Sequence, residues 1–214
     1  MTRPSDSKPK APPLMHLPYP GFIHFQHFMP QCDINVLHLL ASKTWASAGR
    51  PLLMAEIGSF TGASALALAE YCERLYCVDT WDGSDNPDDP INELYAIHKG
   101  DVWTAFWENV KHLDPICFPL KKTSLRAAEF LTQSRDRFDL VFLDGDHRYE
   151  SVASDIKAWL PLVSPGGILC GHDYDQRPNP QFPGVNKAVE ERFLGPIIGH
   201  SGFKVLGNVW WREV

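Results

Sequence analysis

The chain has 214 residues, of which 44% are hydrophobic and 12% aromatic, enough for one domain with a substantial core and too apolar for a disordered chain. Its formal net charge of −6 excludes a basic nucleic-acid binder by composition, and no apolar run approaches the length of a membrane span. The opening MTRPSDSKPKAPP lacks the apolar core of a secretory leader, so a soluble, cytoplasmic protein with neither nucleic-acid nor membrane partners is expected. The five cysteines, Cys32, Cys72, Cys77, Cys117 and Cys170, are odd in number and never spaced as CxxC, which argues against a disulfide framework and against a zinc site. Cys77 and Cys170 lie in strand-like runs and read as small buried hydrophobes.

Residues 1–30 form an expected N-terminal arm, with 31–214 as the single domain; six prolines within the first twenty positions keep the arm extended. Gly21 to Phe28 mixes aromatics with His24 and His27 and reads first as an anchor for the N-terminus, with a strand, a lid or an arm packed on a neighbour in a homo-oligomer as alternatives. From Asp33 the pattern is helical: Ile34, Leu37, Leu40, Ala41, Thr44 and Trp45 share one face, and Gly49 is the stop. A strand is then predicted at Leu52 to Ile57, a helix at Ala63 to Glu73 and a second strand at Leu75 to Asp79. Trp81 to Pro90, with Asp82, Asp85, Asp88 and Asp89, reads as an acidic loop, and Ile91 to Leu113 as a core-packing helix. Further strands are predicted at Ile116 to Leu120, Phe138 to Asp144 and Ile168 to His172, with helices at Ser124 to Gln133 and Glu150 to Leu162. This alternation predicts an α/β fold, a doubly wound, mostly parallel sheet covered by helices on both faces. After a helix at Val185 to Phe193, two apolar runs flank Gly207-Asn208, which predicts a C-terminal antiparallel hairpin.

The strongest motif is Glu56-Ile57-Gly58-Ser59-Phe60-Thr61-Gly62, between the first strand and its helix. Glycine permits a tight turn and close approach of a ligand, and the helix start offers unpaired N–H groups. A dinucleotide fingerprint wants G-x-G-x-x-G, but Phe60 and Ala63 occupy the second and third glycine positions, which disfavours a nicotinamide dehydrogenase. Nor is there a G-K-[ST] phosphate loop. Glu56, two residues before the first glycine, instead fits E/D-x-G-x-x-x-G, the signature of S-adenosylmethionine enzymes. Asp79 ends the second strand 17 residues after Gly62, where a carboxylate can accept hydrogen bonds from both hydroxyls of a ribose. Ser59, Thr80, Trp81, Ser124 and Asp144 complete the expected cofactor-binding set, with Trp81, Ser124 and Leu125 on the adenine side.

The fourth strand runs into Asp144-Gly145-Asp146-His147 and the fifth into His172-Asp173, both at carboxyl ends of neighbouring parallel strands. Asp144, Asp146, His147, His172 and Asp173 are therefore expected to converge. So many titratable groups either face a solvent cleft or hold a cation. Carboxylates suit Mg²⁺ or Mn²⁺, and an added imidazole suits Mn²⁺, Fe²⁺ or Zn²⁺. Such an ion could lower the pKa of a substrate hydroxyl. Without one, His147 or His172 could serve as general base.

Taken together, EIGSFTGASALALAE, YCVDTWDG and FDLVFLDGDHRYESVASDIKAWLPLVSPGGILCGHDY resemble the class I methyltransferase family of the methyltransferase domain 24 type, over roughly residues 50–214. Macrocin-type sugar O-methyltransferases, cephalosporin hydroxylase-like proteins and catechol O-methyltransferase are related groups. The resemblance implies a seven-stranded sheet with one antiparallel strand, and S-adenosylmethionine held at Glu56, Gly58, Gly62 and Asp79. It implies a metal site, Mg²⁺ or another divalent cation, at Asp144, His172 and Asp173, although the family tends to carry Asp where this chain has His172. Catalytic roles fall to His147 and Asp144. The expected activity is O-methylation of a small-molecule hydroxyl on a sugar or natural product. The alternatives are a metal-dependent hydroxylase-like enzyme on the same scaffold and a non-catalytic cofactor-binding module. The acceptor pocket is expected from residues 15–30, 81–110 and 174–184, which hold Trp81, Trp103, Trp107, Tyr174 and Phe182.

Overall fold

The computed structural model describes residues 29–84, 91–97, 101–134, 136–194 and 202–214. Nearly all of the expected N-terminal arm lies outside the described residues, as do Asp85, Asp88 and Asp89 of the acidic loop. The strands are β1 Leu52–Ile57, β2 Cys72–Asp79, β3 Cys117–Lys121, β4 Phe138–Leu143, β5 Val163–Gly171, β6 Lys204–Leu206 and β7 Val209–Glu213. The helices are α1 Gln31–Ala48, α2 Ala63–Ala69, α3 Ile91–Ile97, α4 Val102–Val110, α5 Ser124–Ser134, α6 Tyr149–Trp159 and α7 Pro183–Phe193. They build a seven-stranded sheet in the order β3-β2-β1-β4-β5-β7-β6. The first five strands of that order are parallel, and β7 runs antiparallel between β5 and β6. The expected mostly parallel sheet and C-terminal hairpin are both present.

Strand alternation distributes the apolar residues to two cores. On one face Met54, Cys77 and Phe142 pack under α1, α2 and α4 with Leu37, Leu68 and Phe106. On the other, Ala55, Val78 and Val141 meet Leu131, Ile156, Trp159 and Val189 of α5, α6 and α7. A strand covered on both faces has no polar side, so β4 is buried at all six positions. Each large side chain so enclosed contributes roughly 2–3 kcal/mol relative to exposure.

Three boundaries differ from the sequence reading. The helix expected at Ala63 to Glu73 ends at Ala69, because β2 starts at Cys72 to pair with Leu52. The exposed Glu73 and Arg74 look helical but belong to that strand. The fifth strand begins at Val163, with Pro165-Gly166-Gly167 inside it; Gly166 N–H donates to the Val214 carbonyl at 2.7 Å, so a turn-like sequence is held extended by its neighbour. The single helix expected over Ile91 to Leu113 is two, α3 and α4, with Asp101 capping α4 by accepting from Thr104 N–H at 3.2 Å, followed by a 3₁₀ turn at Lys111–Leu113.

Asp139 joins the start of β4 to the α1–β1 connection. It is buried, takes both nitrogens of the Arg50 fork at 2.9 and 2.8 Å, and accepts from Leu53 N–H at 2.9 Å. Asp139→Ala is expected to lower stability by about 2 kcal/mol, since it leaves the Leu53 N–H unsatisfied and removes a bidentate ion pair. Urea unfolding would read this as a lower midpoint at unchanged slope. An unmoved midpoint would mean that water replaces the carboxylate without cost.

Candidate functional site

The chain leaves β1 for β2 and β3 on one side and returns to β4 on the other, so the carboxyl ends of β1 and β4 bound the crevice where ligands of open α/β sheets sit. The two connections touch there. Asp144 N–H donates to the Ile57 carbonyl at 2.8 Å, and Gly58 N–H to the Val78 carbonyl at 2.8 Å. Gly58 has φ +88°, and a Cβ on it would lie 2.0 Å from the Asp144 carbonyl oxygen. Glycine is required both by conformation and by space. Gly62, also at φ +88°, would set a Cβ 2.9 Å from Val110 Cγ1. Among the described residues, the non-glycine positions with positive φ are Phe60, Trp81 and Asp173, all in connections at this edge of the sheet. Backbone strain of this kind collects at functional sites.

Asp79 stands at the end of β2 beside the glycine turn. Its Oδ2 accepts from Phe60 N–H at 2.8 Å and its Oδ1 from Trp81 N–H at 2.7 Å, which ties the turn to the next loop. Each oxygen keeps a second lone pair. Burial raises its pKa, tempered by the backbone N–H groups of Trp81, Phe60 and Thr80. The carboxylate is thus pre-oriented by the backbone, as a group that binds a diol must be.

The other expected cofactor residues are placed differently. Glu56 is fully enclosed behind the turn, and neither carboxyl oxygen makes a hydrogen bond. Burial lifts its pKa to about 7, with the Ser59 and Ser64 hydroxyls opposing the rise. Its carboxylate is thus enclosed at the end of β1, directly before the glycine turn. Ser59 is buried alongside, with an unsatisfied hydroxyl. Trp81 is a core residue: its indole N–H donates to the Phe60 carbonyl at 2.8 Å, and its ring packs 4.7 Å from those of Trp103 and Phe106. Thr80 is half-buried, its hydroxyl accepting from Asp82 N–H at 3.4 Å. The Ser124 hydroxyl donates to Asp155 at 2.5 Å and accepts from Trp159 Nε1 at 2.9 Å, so it serves the α5–α6 contact.

Of the five acids and histidines expected to converge, four do. His147 Nε2 lies 2.9 Å from Asp173 Oδ2, and His172 Nδ1 lies 3.2 Å from Asp173 Oδ1 and 3.7 Å from Asp144 Oδ1. The His147 ring stacks on Phe182, centroids 4.0 Å apart at 18°. Asp146 turns away, taking the Arg148 backbone and Nε at 2.8 and 2.7 Å and the Ser151 hydroxyl at 2.9 Å. It shapes the loop rather than the cluster. Burial pushes Asp144 up to about 6, against the pull of His172. Burial would also raise Asp173, but the two histidines outweigh it and hold that carboxyl well below the usual range. Burial lowers His172, yet Asp144, Asp173 and Asp33 override it and carry the imidazole to about 10.

A cation would find its donors in Asp144, His147 and Asp173, whose ligand atoms all lie within 4.8 Å of one another. Two carboxylates and one imidazole suit Mn²⁺, Mg²⁺ or Zn²⁺. The expected triad had His172 where this set has His147; His172 is 7% exposed, with Nε2 3.0 Å from Asp33 Oδ2 and Nδ1 facing Asp173 and Asp144. Asp33, on α1, is the residue that the sequence reading missed. An acid in a first helical turn carries no local signal beyond favourable placement at the helix start.

Comparison with known proteins places the chain among related sequences and folds. An uncharacterized protein y4gI of Sinorhizobium fredii is 28% identical over 134 residues, which are 60% of this chain and 14% of that protein. An uncharacterized protein R132 of Acanthamoeba polyphaga mimivirus is 38% identical over 71 residues, 32% of each chain. The chain therefore spans no more than a third of the length of these curated relatives. Among solved structures, the O-methyltransferase from Bacillus cereus in complex with SAH aligns with a TM-score of 0.60 at 14% identity, covering 88% of this chain and 83% of that one. The calicheamicin methyltransferase CalS11 aligns at 0.58 and 16% identity over 86% and 79%, and the O-methyltransferase NovP at 0.57 and 16% over 85% and 78%. These likenesses establish the fold. Residues 55–174, more than half of the chain and the segment that carries both the glycine turn and the acid–histidine loops, match the family described as methyltransferase domain, and the chain belongs to that family.

Proposed function

We propose that the chain is an S-adenosylmethionine-dependent O-methyltransferase acting on a small-molecule hydroxyl. The observation that carries this reading is the backbone contact between Gly58 and Asp144, which sets the ligand turn directly against the acid–histidine cluster. Asp79 offers its carboxylate to the ribose diol, and Gly58 and Gly62 let the backbone approach. Bound there, S-adenosylmethionine supplies an electrophilic methyl carbon on a sulfonium. The acceptor hydroxyl must lose its proton as its oxygen attacks. Asp144, with its pKa near 6, and His147, oriented by Asp173 and Phe182, are the groups at hand to take it. A divalent ion on Asp144, His147 and Asp173 would add Lewis acidity to that hydroxyl. The converging groups, two histidines and two carboxylates, also contain the two-histidine, one-carboxylate set of a non-haem iron site, and it is the match of residues 55–174 to the methyltransferase domain family that favours methyl transfer over a hydroxylase. A sugar or natural-product acceptor draws support from the net charge of −6, unsuited to nucleic acid, and from the shared fold of a TDP-rhamnose 3′-O-methyltransferase.

Calorimetric titration with S-adenosylmethionine, with and without Mg²⁺ or Mn²⁺, tests the reading. Binding is expected without added metal, because neither Asp79 nor the glycine turn supplies a donor to the cation. Incubation with a panel of sugar and phenol acceptors should then release S-adenosylhomocysteine. No binding under either condition would overturn the proposal.

A further inference from the structure

The acid–histidine cluster is anchored from outside the segment that matches the family. Asp33 sits in the first turn of α1, 22 residues before the matched region begins and 139 residues from His172. It is fully buried. A buried carboxylate is costly unless every oxygen is engaged, and here both are. Oδ2 faces His172 Nε2 at 3.0 Å and accepts from Asn208 Nδ2 at 3.2 Å, while Oδ1 accepts from Asn208 N–H at 3.3 Å. The hairpin turn is shaped to admit it: a Cβ on Gly207 would lie 2.1 Å from Asp33 Oδ1. With Nε2 so held, the other nitrogen of His172 is aimed at Asp173 Oδ1 at 3.2 Å, and the second oxygen of Asp173 meets His147 Nε2 at 2.9 Å.

We propose that Asp33 is a positioning residue for this site: through His172 it fixes Asp173, and through Asp173 the ring of His147. Two Asp–His pairs are thereby arranged in series, Asp33 to His172 and Asp173 to His147. The outer pair makes the inner one rigid, and a ring held by a carboxylate keeps its orientation and tautomer. The importance of the series for methyl transfer rests on the reading of His147 as part of the proton-handling group. The geometric claim can be tested without cofactor or acceptor.

The test is the ring-nitrogen NMR spectrum of the full chain labelled with ¹⁵N-histidine, in three forms. Asp33→Asn removes the charge that holds His172 and should shift the ring nitrogens of both His172 and His147. Asn208→Ala removes only the side-chain tie from the hairpin turn to Asp33 and should leave His147 in place, even if it lowers the melting temperature. If Asp33→Asn does not fold, His172→Gln, which keeps a donor for Asp33 and loses the one aimed at Asp173, should displace the His147 signals in the same way. Unmoved His147 nitrogens in a folded Asp33→Asn or His172→Gln variant would overturn the proposal. Equal displacement by Asn208→Ala would overturn it too, since Asp33 would then act only as a hairpin anchor. Calorimetry with S-adenosylmethionine on the same unsubstituted sample keeps the two readings separate: absence of binding defeats the methyltransferase proposal and leaves the His147 result standing.

Discussion

Replacing Asp79 by Asn is expected to weaken S-adenosylmethionine binding about 100-fold. A ribose diol donates two hydrogen bonds to a carboxylate, and charge-assisted bonds of this kind are each worth roughly 1.5–3 kcal/mol. An amide can accept one of them and must turn its NH₂ toward the other hydroxyl or toward a backbone donor. Phe60 and Trp81 already present N–H groups to the two oxygens at 2.8 and 2.7 Å, so the NH₂ meets a donor on either side. A net loss of about 3 kcal/mol corresponds to two decades in Kd. Calorimetry with S-adenosylmethionine measures it, with free methionine as a control ligand whose affinity should not change because it has no ribose. A dissociation constant within twofold of the unsubstituted protein, in a folded variant, would remove Asp79 from the cofactor site.

Glu56→Gln should stabilise the protein by about 3 kcal/mol at pH 8 and leave it unchanged at pH 4. Burial raises the pKa of Glu56 from its ordinary 4.5 to about 7 in the folded chain. Between those values the unfolded chain has lost the proton and the folded chain still holds it. The folded state then binds more protons, so stability falls as pH rises across that window. Below it, acid and amide are both neutral and equally short of partners. Above it, the full difference of about 2.5 units, at 1.36 kcal/mol each, is carried by the native state as an uncompensated buried charge. Thermal melting of both proteins from pH 4 to pH 8 reads the effect as a gap that opens with pH, reaching roughly 6–12 °C for a chain of this size. A gap that does not vary with pH would mean that Glu56 ionises normally. If its field acts on the cofactor's cation, the variant will gain stability and lose affinity together.

Much of this edge of the sheet is legible in the sequence. Gly58 and Gly62 follow a strand and precede a helix, and both take the positive φ that their identity predicts. Asp79 and Asp144 end buried apolar runs, which fixes their place at the carboxyl edge of a parallel sheet. Strand alternation also puts Glu56 on one face with Met54. It does not say that α2 and α4 cover that face and leave the carboxylate fully buried. Trp81 and Ser124 show the same limit, since adjacency in sequence to a ligand site does not reveal which way a side chain turns. The cation donors show it most clearly. Asp173 follows β5 with φ +63°, His172 reaches Asp33 with Nε2, and Asp173 meets His147.

The sequence by itself determined the class of the fold, its parallel sheet, its closing hairpin and the family, because these follow from local periodicity, turn residues and one uninterrupted motif-bearing segment. Only the tertiary structure decided which acids each histidine faces, His147 against Asp173 and His172 between Asp173 and Asp33. Those choices depend on a contact between residues 33 and 172, from a helix and a strand end that meet when the sheet is covered, and no local pattern encodes a pairing at that separation.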